Sequence, residues 1–304
     1  AIPAAFLNYD LNYTTQSVRG QPGSRELGTL LELGASNGWG VLTSSHVGTG
    51  LLGSSPPEGS QWRRLETTYT RDLPEHNVTL RVGDSSTRPS MGARAVYFGG
   101  VQIGTNYGLT PGFVTQAIPL VAGVSTAPST VELYINDALR QTSRVPAGPF
   151  AIENLPHLTG SGQARLVVRD LLGRETVLVQ DFFSHAALLK EGLNDWSAEV
   201  GAVRRNLAQT NDDYGPPFAS GLFRRGVSPT TTAEVRAEAS ADTEGLTLAL
   251  TRALPAQVLG QASVSRSRDA RAGNGFQTTL ALEHRSLHHG FSLHWEGATG
   301  AFRQ

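Results

Sequence analysis

The chain has 304 residues, a formal net charge of −1 and no cysteine. A near-neutral balance without a basic stripe argues against nucleic acid and against electrostatic docking on a membrane surface. The missing thiols exclude a disulfide framework, a thiolate metal site and a Cys nucleophile.

Thirty-four glycines and sixteen prolines predict many turns. No apolar window approaches the length of a transmembrane helix, and Ala1-Ile2-Pro3 lacks the features of a signal peptide. A mean hydropathy of −0.20 still suits membrane strands, in which only alternate residues face lipid. Leu7, Tyr9, Leu11 and Tyr13 alternate with Asn8, Asp10, Asn12 and Thr14, the period of a strand with one wet face. The same alternation is read at Leu65, Thr67 and Tyr69 and at Val78, Leu80 and Val82. Ser54 to Ser60 reads as a long polar loop, Leu73-Pro74-Glu75-His76 as a tight connection, and long loops at one end with short turns at the other is a barrel habit.

The middle differs. From Ile118 to Phe182 the expected strands are shorter and more apolar, at Val131-Leu133-Ile135, Leu166 to Val168 and Val177 to Val179. Asn136-Asp137 and Asp170 to Gly173 are hairpin turns. This predicts a small β-sandwich with its own core. Helical periodicity is weak, with room for a turn or two between His185 and Glu191. Towards the C-terminus Ala233, Val235, Ala237 and Ala239 oppose Glu234, Arg236, Glu238 and Ser240. Leu246, Leu248 and Leu250, then Val258 to Val264, then Phe276 to Leu282, then Phe291, Leu293 and Trp295 continue the series. Strands of about ten residues are what a tilted crossing of the hydrocarbon layer needs.

One segment is specific. Val145-Pro146-Ala147-Gly148-Pro149-Phe150-Ala151-Ile152-Glu153-Asn154-Leu155 resembles the signature of fimbrial outer-membrane ushers of the chaperone-usher pathway, in which Pro-x-Gly-Pro-Phe leads to an apolar residue and then Asn-Leu or Asp-Leu. The signature residues are Val145, Pro146, Gly148, Pro149, Phe150, Ile152, Asn154 and Leu155. Two prolines fix φ, the chain turns at Gly148, and Phe150, Ile152 and Leu155 enter the sandwich core. Leu80 to Asp84, Phe98 to Gly104, Tyr107 to Gly112, Ser161 to Ala164 and Leu188 to Gly192 resemble the family's entry to and exit from that sandwich. Glu153, and Gly99-Gly100 where arginine is frequent, depart from the pattern.

The resemblance implies an all-β fold: a partial transmembrane antiparallel β-barrel with an inserted β-sandwich plug domain. Residues 1–117 would be a first group of barrel strands, 118–182 the plug, and 183–304 a second group that leaves the barrel incomplete. It implies a bacterial outer-membrane usher, not an enzyme, that assembles and secretes pilus subunits. Its partners would be periplasmic chaperone-subunit complexes and outer-membrane lipid, without nucleic acid, small-molecule substrate, cofactor or metal. The family's periplasmic domains are missing from both ends, so the chain reads as a part. Glu234, Arg236 and Glu238 would then face the lumen, and Tyr9, Tyr13, Trp196 and Trp295, if near strand ends, an interfacial girdle.

Other chemistries find little support. Gly83-Asp84-Ser85-Ser86 invites comparison with a Gly-Asp-Ser esterase nucleophile, but no Asp-x-x-His follows, and a strand-end turn is expected instead. His284, His288, His289 and His294 suggest a metal, yet strand residues four apart lie about 13 Å from each other. A different class remains open on the strand pattern: a secreted soluble β-sandwich adhesin or binding protein, whose apolar faces would pack on each other.

Overall fold

A computed structural model describes residues 3–17, 23–52, 61–117, 122–152, 160–285 and 289–303. Thirteen strands form one antiparallel sheet. Its first part runs β1 (Ala4–Gln16), β2 (Ser24–Ser36), β3 (Val41–Thr49), β4 (Gln61–Leu73), β5 (Val78–Ser86) and β6 (Tyr97–Thr105). Six strands of a separate unit follow: β7 (Ala122–Ser125), β8 (Ser129–Ile135), β9 (Ala138–Val145), β10 (Gly148–Ala151), β11 (Gly160–Asp170) and β12 (Glu175–Ser184). The large sheet then resumes with β13 (Asn194–Arg204), β14 (Tyr214–Ser228), β15 (Thr231–Ser240), β16 (Thr243–Leu254), β17 (Val258–Asp269), β18 (Gly273–Arg285) and β19 (Gly290–Ala298). β13 pairs directly with β6, so the sheet is continuous across the insertion. No α-helix occurs among the described residues, and His185 to Glu191 form turns.

The alternation in the sequence becomes two unlike faces. On β17, Ser263, Ser265 and Ser267 are buried while Ala262, Val264, Arg266 and Arg268 are exposed. On β16 Thr247 is 4 % exposed and its neighbour Leu248 56 %. The buried face is therefore the hydroxyl-rich one, the inverse of a soluble core. Leu246, Leu248, Leu250, Val264, Leu280, Leu293 and Trp295 stand outward, and no second sheet covers them among the described residues, contrary to what a soluble sandwich requires. β1 and β19 are its two edges.

The sheet must curl strongly. Gly92 follows the end of β5 by six residues, a reach of about 20 Å, yet it lies against the short side chain of Ser263 on β17, six strand spacings or about 29 Å away across a flat sheet. Only an enclosing wall brings them together, with 87–94 lying as a strap over the inner face.

The seam between β6 and β13 is built on glycine. Gly83, Gly100 and Gly201 are in register across β5, β6 and β13. A Cβ on Gly100 would overlap the carbonyl of Val200, and one on Gly201 that of Gly99. Gly99 lies beneath the Tyr214 ring, which leaves no room for a side chain there either. The two glycines that depart from the family pattern thus fit a seam where backbones approach closely.

Some expectations change in detail. Leu65 sits at a bulge opposite Ser45 and His46, where the register shifts and breaks the alternation read through Leu65, Thr67 and Tyr69. Strands β11 and β12, at 11 and 10 residues, are not short. Ala241-Asp242 and Ala270 to Ala272 are tight connections at the same end as the longer β5–β6 and β13–β14 loops, so the division between loop ends is less strict in the second half. Tyr9 and Trp295 lie in mid-strand, away from any girdle at the ends.

The inserted unit has a four-stranded sheet ordered β12-β11-β8-β9 and a two-stranded ribbon of β7 and β10. Alternate residues of β8, Val131, Leu133 and Ile135, pack with Phe150, Ile152, Ala164, Leu166 and Val168 into one apolar cluster, against which Val145 rests. The tight β8–β9 hairpin places Asn136 and Asp137 at positive φ.

Candidate functional site

The inserted unit hangs from a stem. Its two connections pair with each other: the amide of Ala117 donates to the Leu188 carbonyl at 3.1 Å and that of Lys190 to Thr115 at 2.8 Å. Leu188, buried to 1 %, packs with Ala117 on Leu259 of β17. The Leu189 amide donates to the Thr232 hydroxyl at 2.8 Å, and Gly192 donates to the Gly226 carbonyl. Leu259 and Thr232 belong to the buried face, so the stem is fixed to the inside of the wall.

Around the stem runs a network of charge. Asp195 takes Arg88 at 2.5 Å and Arg224 at 3.4 Å; Arg224 also meets Glu234 at 3.2 Å and donates to the Ala187 carbonyl of the stem at 3.1 Å. Arg236 pairs with Glu238 at 2.6 Å and donates to the Arg88 carbonyl and the Thr87 hydroxyl. Strap, stem and the wall strands β13 to β15 are thereby one hydrogen-bonded system. Charges withdrawn from water hold this way only when each finds its partner.

Glu234, Arg236 and Glu238 all lie on the buried face, where Arg236 is 1 % exposed. Of the signature segment, Val145 closes β9, Pro146 follows it, and Gly148 opens β10 at φ +118 beside Pro149, a residue tolerated on a short edge ribbon. Phe150 and Ile152 enter the core of the inserted unit, whereas Asn154 and Leu155 lie outside the described residues. Gly83-Asp84 is not a strand-end turn. Gly83 sits inside β5 at φ +119, and Asp84 accepts from the Thr67 amide at 2.8 Å and the Tyr214 hydroxyl at 2.6 Å while pairing with Arg64 and Arg204. That cluster ties β4 and β5 to β13 and β14 and was not foreseen. A glycine interrupting the β5 alternation just before an aspartate was the available signal.

Of the described histidines only His284 and His289 meet, as a pair. His284 contacts the rings of His289 and Phe291, His294 lies 3.8 Å from Glu296, and His288 falls outside the described residues. No group of three potential metal ligands occurs among the described residues.

Residues 38–270 match the family model described as outer membrane usher protein. Among curated relatives, the outer membrane usher protein YraJ of Escherichia coli K12 is 24 % identical over 231 residues, covering 76 % of this chain and 27 % of that protein. FaeD of Escherichia coli is 29 % identical over 194 residues, 64 % of this chain and 23 % of the relative. The F1 capsule-anchoring protein of Yersinia pestis is 25 % identical over 214 residues, 69 % and 24 % respectively. The chain therefore spans about a quarter of the length of the curated relatives it matches. In fold it is similar to the translocation pore of the P pilus usher PapC, with a TM-score of 0.59 at 19 % identity over 99 % of this chain and 61 % of that one. A PapC complex described as a P pilus tip assembly intermediate gives a TM-score of 0.65 at 19 % identity over 93 % of this chain and 36 % of that one.

Proposed function

The chain belongs to the outer membrane usher family, and from that premise we propose that it supplies part of the wall and the plug of a secretion channel in the bacterial outer membrane. The observation that carries this reading is the stem. A sandwich with its own core leaves and re-enters the large sheet between two hydrogen-bonded neighbours, β6 and β13, and is held on the inner side of the curved wall.

Residues 118–182 act as the plug. A pore wide enough for folded subunits would leak, and a rigid stopper on a double-stranded stem can leave as one body. The lining of serine, threonine and paired charge, Glu234, Arg236 and Glu238 included, offers folded polypeptide little apolar surface to stick to. The cargo is pilus subunits delivered by a periplasmic chaperone. The role is transport and assembly rather than catalysis, and strand exchange between subunits provides the downhill step without nucleotide.

Planar-bilayer conductance of the full-length protein lacking 118–182 tests the plug. A large, persistent conductance is expected, against a closed wild type. Equal conductance of the two would sink the plug reading.

A further inference from the structure

The outward face of β16 to β18 is mostly apolar, broken by Thr278 and by Arg252 one row in from its stem end. Leu248, Val264 and Thr278 share one row, and Leu250, Ala262 and Leu280 the next. From Leu254 to Leu246 the strand covers about 27 Å, or roughly 21 Å of height at a tilt near 40°, close to the ~25 Å band of a membrane barrel. Leu246, Arg266 and Phe276 form the last row at the end away from the stem, and Glu244, Arg268 and Asn274 the row beyond it.

Arg266 and Arg268 differ from the arginines inside. Arg88, Arg224 and Arg236 each hold a carboxylate within 3.5 Å. Neither Arg266 nor Arg268 has a carboxylate within 4 Å among the described residues, although Glu244 stands opposite Arg268 in the register. Both are exposed, about 6.8 Å apart along β17, and the Arg266 guanidinium lies 5.9 Å from the centre of the Phe276 ring. Arg71 stacks likewise over Trp39, at 5.2 Å, near the opposite end of the strands. An arginine facing lipid is costly at the midplane and nearly free at the interface, so this pair belongs at the rim, where phosphate is the anion at hand. Guanidinium forks match phosphate oxygens two at a time.

We propose that Arg266 and Arg268 form a site on the outer wall for the phosphate of an anionic lipid headgroup, with the acyl chains lying along Leu246, Phe276 and Val264. The site rests on the membrane-channel reading above. It holds a lipid at the rim of the strands that carry the stem and strap contacts, fixing the height of that part of the wall.

The full-length protein, folded into phosphatidylcholine vesicles with or without phosphatidic acid, gives the test, with retained lipid counted after gentle extraction by native mass spectrometry. Wild type should retain phosphatidic acid several-fold over its share of the bilayer. R266Q/R268Q should lose that enrichment while folding normally, R266K/R268K should keep part of it, and R252Q, on the same face at the other end, should keep all of it. Lipid A in place of phosphatidic acid separates a glycolipid from a phospholipid source; enrichment of either supports the site and of neither overturns it. Equal enrichment in R266Q/R268Q and wild type also overturns it. Failure of wild type to fold into phosphatidylcholine alone would instead sink the channel reading, and this site with it.

Discussion

The Arg236 guanidinium donates to the backbone carbonyl of Arg88 at 2.7 Å, joining β15 to a strap from the other half of the sheet. A second nitrogen serves both Thr87 and Glu238. Main-chain anchorage of this kind depends on a fork of donors, which lysine lacks. Hydrogen bonds to charged groups contribute about 1.5–3 kcal/mol each when buried. Arg236→Met should therefore release the strap. Limited proteolysis should cut within 88–94 well before the rest of the wall, Arg236→Lys should only partly restore protection, and leak through the closed channel should rise. Unchanged cleavage would show that the strap is held by other contacts.

Glycine at the β6–β13 seam makes a sharper test of how the wall closes over its insertion. Gly100→Val would drive a side chain into the Val200 carbonyl, and the two backbones would have to part. Folding yield in detergent should collapse. Gly245→Ala, where a Cβ meets nothing within 4 Å, should fold at the wild-type level. Equal yields would mean that the seam tolerates separation.

Leu133, at 0 % exposure, is central to the inserted sandwich. Leu133→Ala should cost about 2–5 kcal/mol, the usual range for a buried leucine whose site cannot collapse. Since that core shares no member with the Ala117-Leu188-Leu259 cluster, the loss should fall on the sandwich alone. Calorimetry should show one transition lowered and the wall transition unmoved; a single shift of both would show that the two units melt together.

The strands were legible because their period is two and their faces chemically opposed, as in the run from Thr231 to Ser240, where alanine and valine oppose Glu234, Arg236 and Glu238. Within the inserted unit the core was legible at Val131, Leu133, Ile135, Leu166 and Val168, whereas the equally apolar Val177 to Val179 stand exposed. What the chain order hid was everything set by curvature. Ser90 and Glu234 are 144 residues apart, and no local pattern announces that a strap after β5 will land on β15. Asp84 looked like part of a turn because its partners Arg204 and Tyr214 come from beyond the insertion. The Leu65 bulge was equally invisible, since one extra residue leaves the composition of a strand unchanged.

Acid should loosen the inserted unit at one identifiable turn. The Asp170 carboxylate accepts from the amides of Arg174 and Leu172 and from the Arg174 guanidinium, and the Arg174 amide leads the causes that hold its pKa below the ordinary 3.8. A depressed folded-state pKa means that this stabilisation is present above the unfolded carboxylate value and disappears as pH falls through the lower folded one. The sandwich transition should drop more steeply in wild type than in Asp170→Asn as the pH is taken below about 4. Parallel curves would remove Asp170 from the acid response.

The outward rows provide a ruler for the bilayer. Leu250 stands at mid-height of the apolar band and Leu246 at its rim, both on β16 with their side chains on the same face. In lipid, Leu250→Arg should destabilise by roughly 2–4 kcal/mol and Leu246→Arg by about 0–1, because the hydrocarbon is thickest to escape from mid-height and a rim arginine reaches headgroups at once. In a soluble sheet both substitutions would cost about the same, since each side chain is roughly half exposed in the structure, 44 % and 48 %. Reversible urea unfolding from vesicles separates the cases by the difference between the two variants rather than by either value alone. A gradient with depth places this face against acyl chains. Equal small losses would instead put water there, and with it would go the inverted arrangement of serine inside and leucine outside that led to the channel.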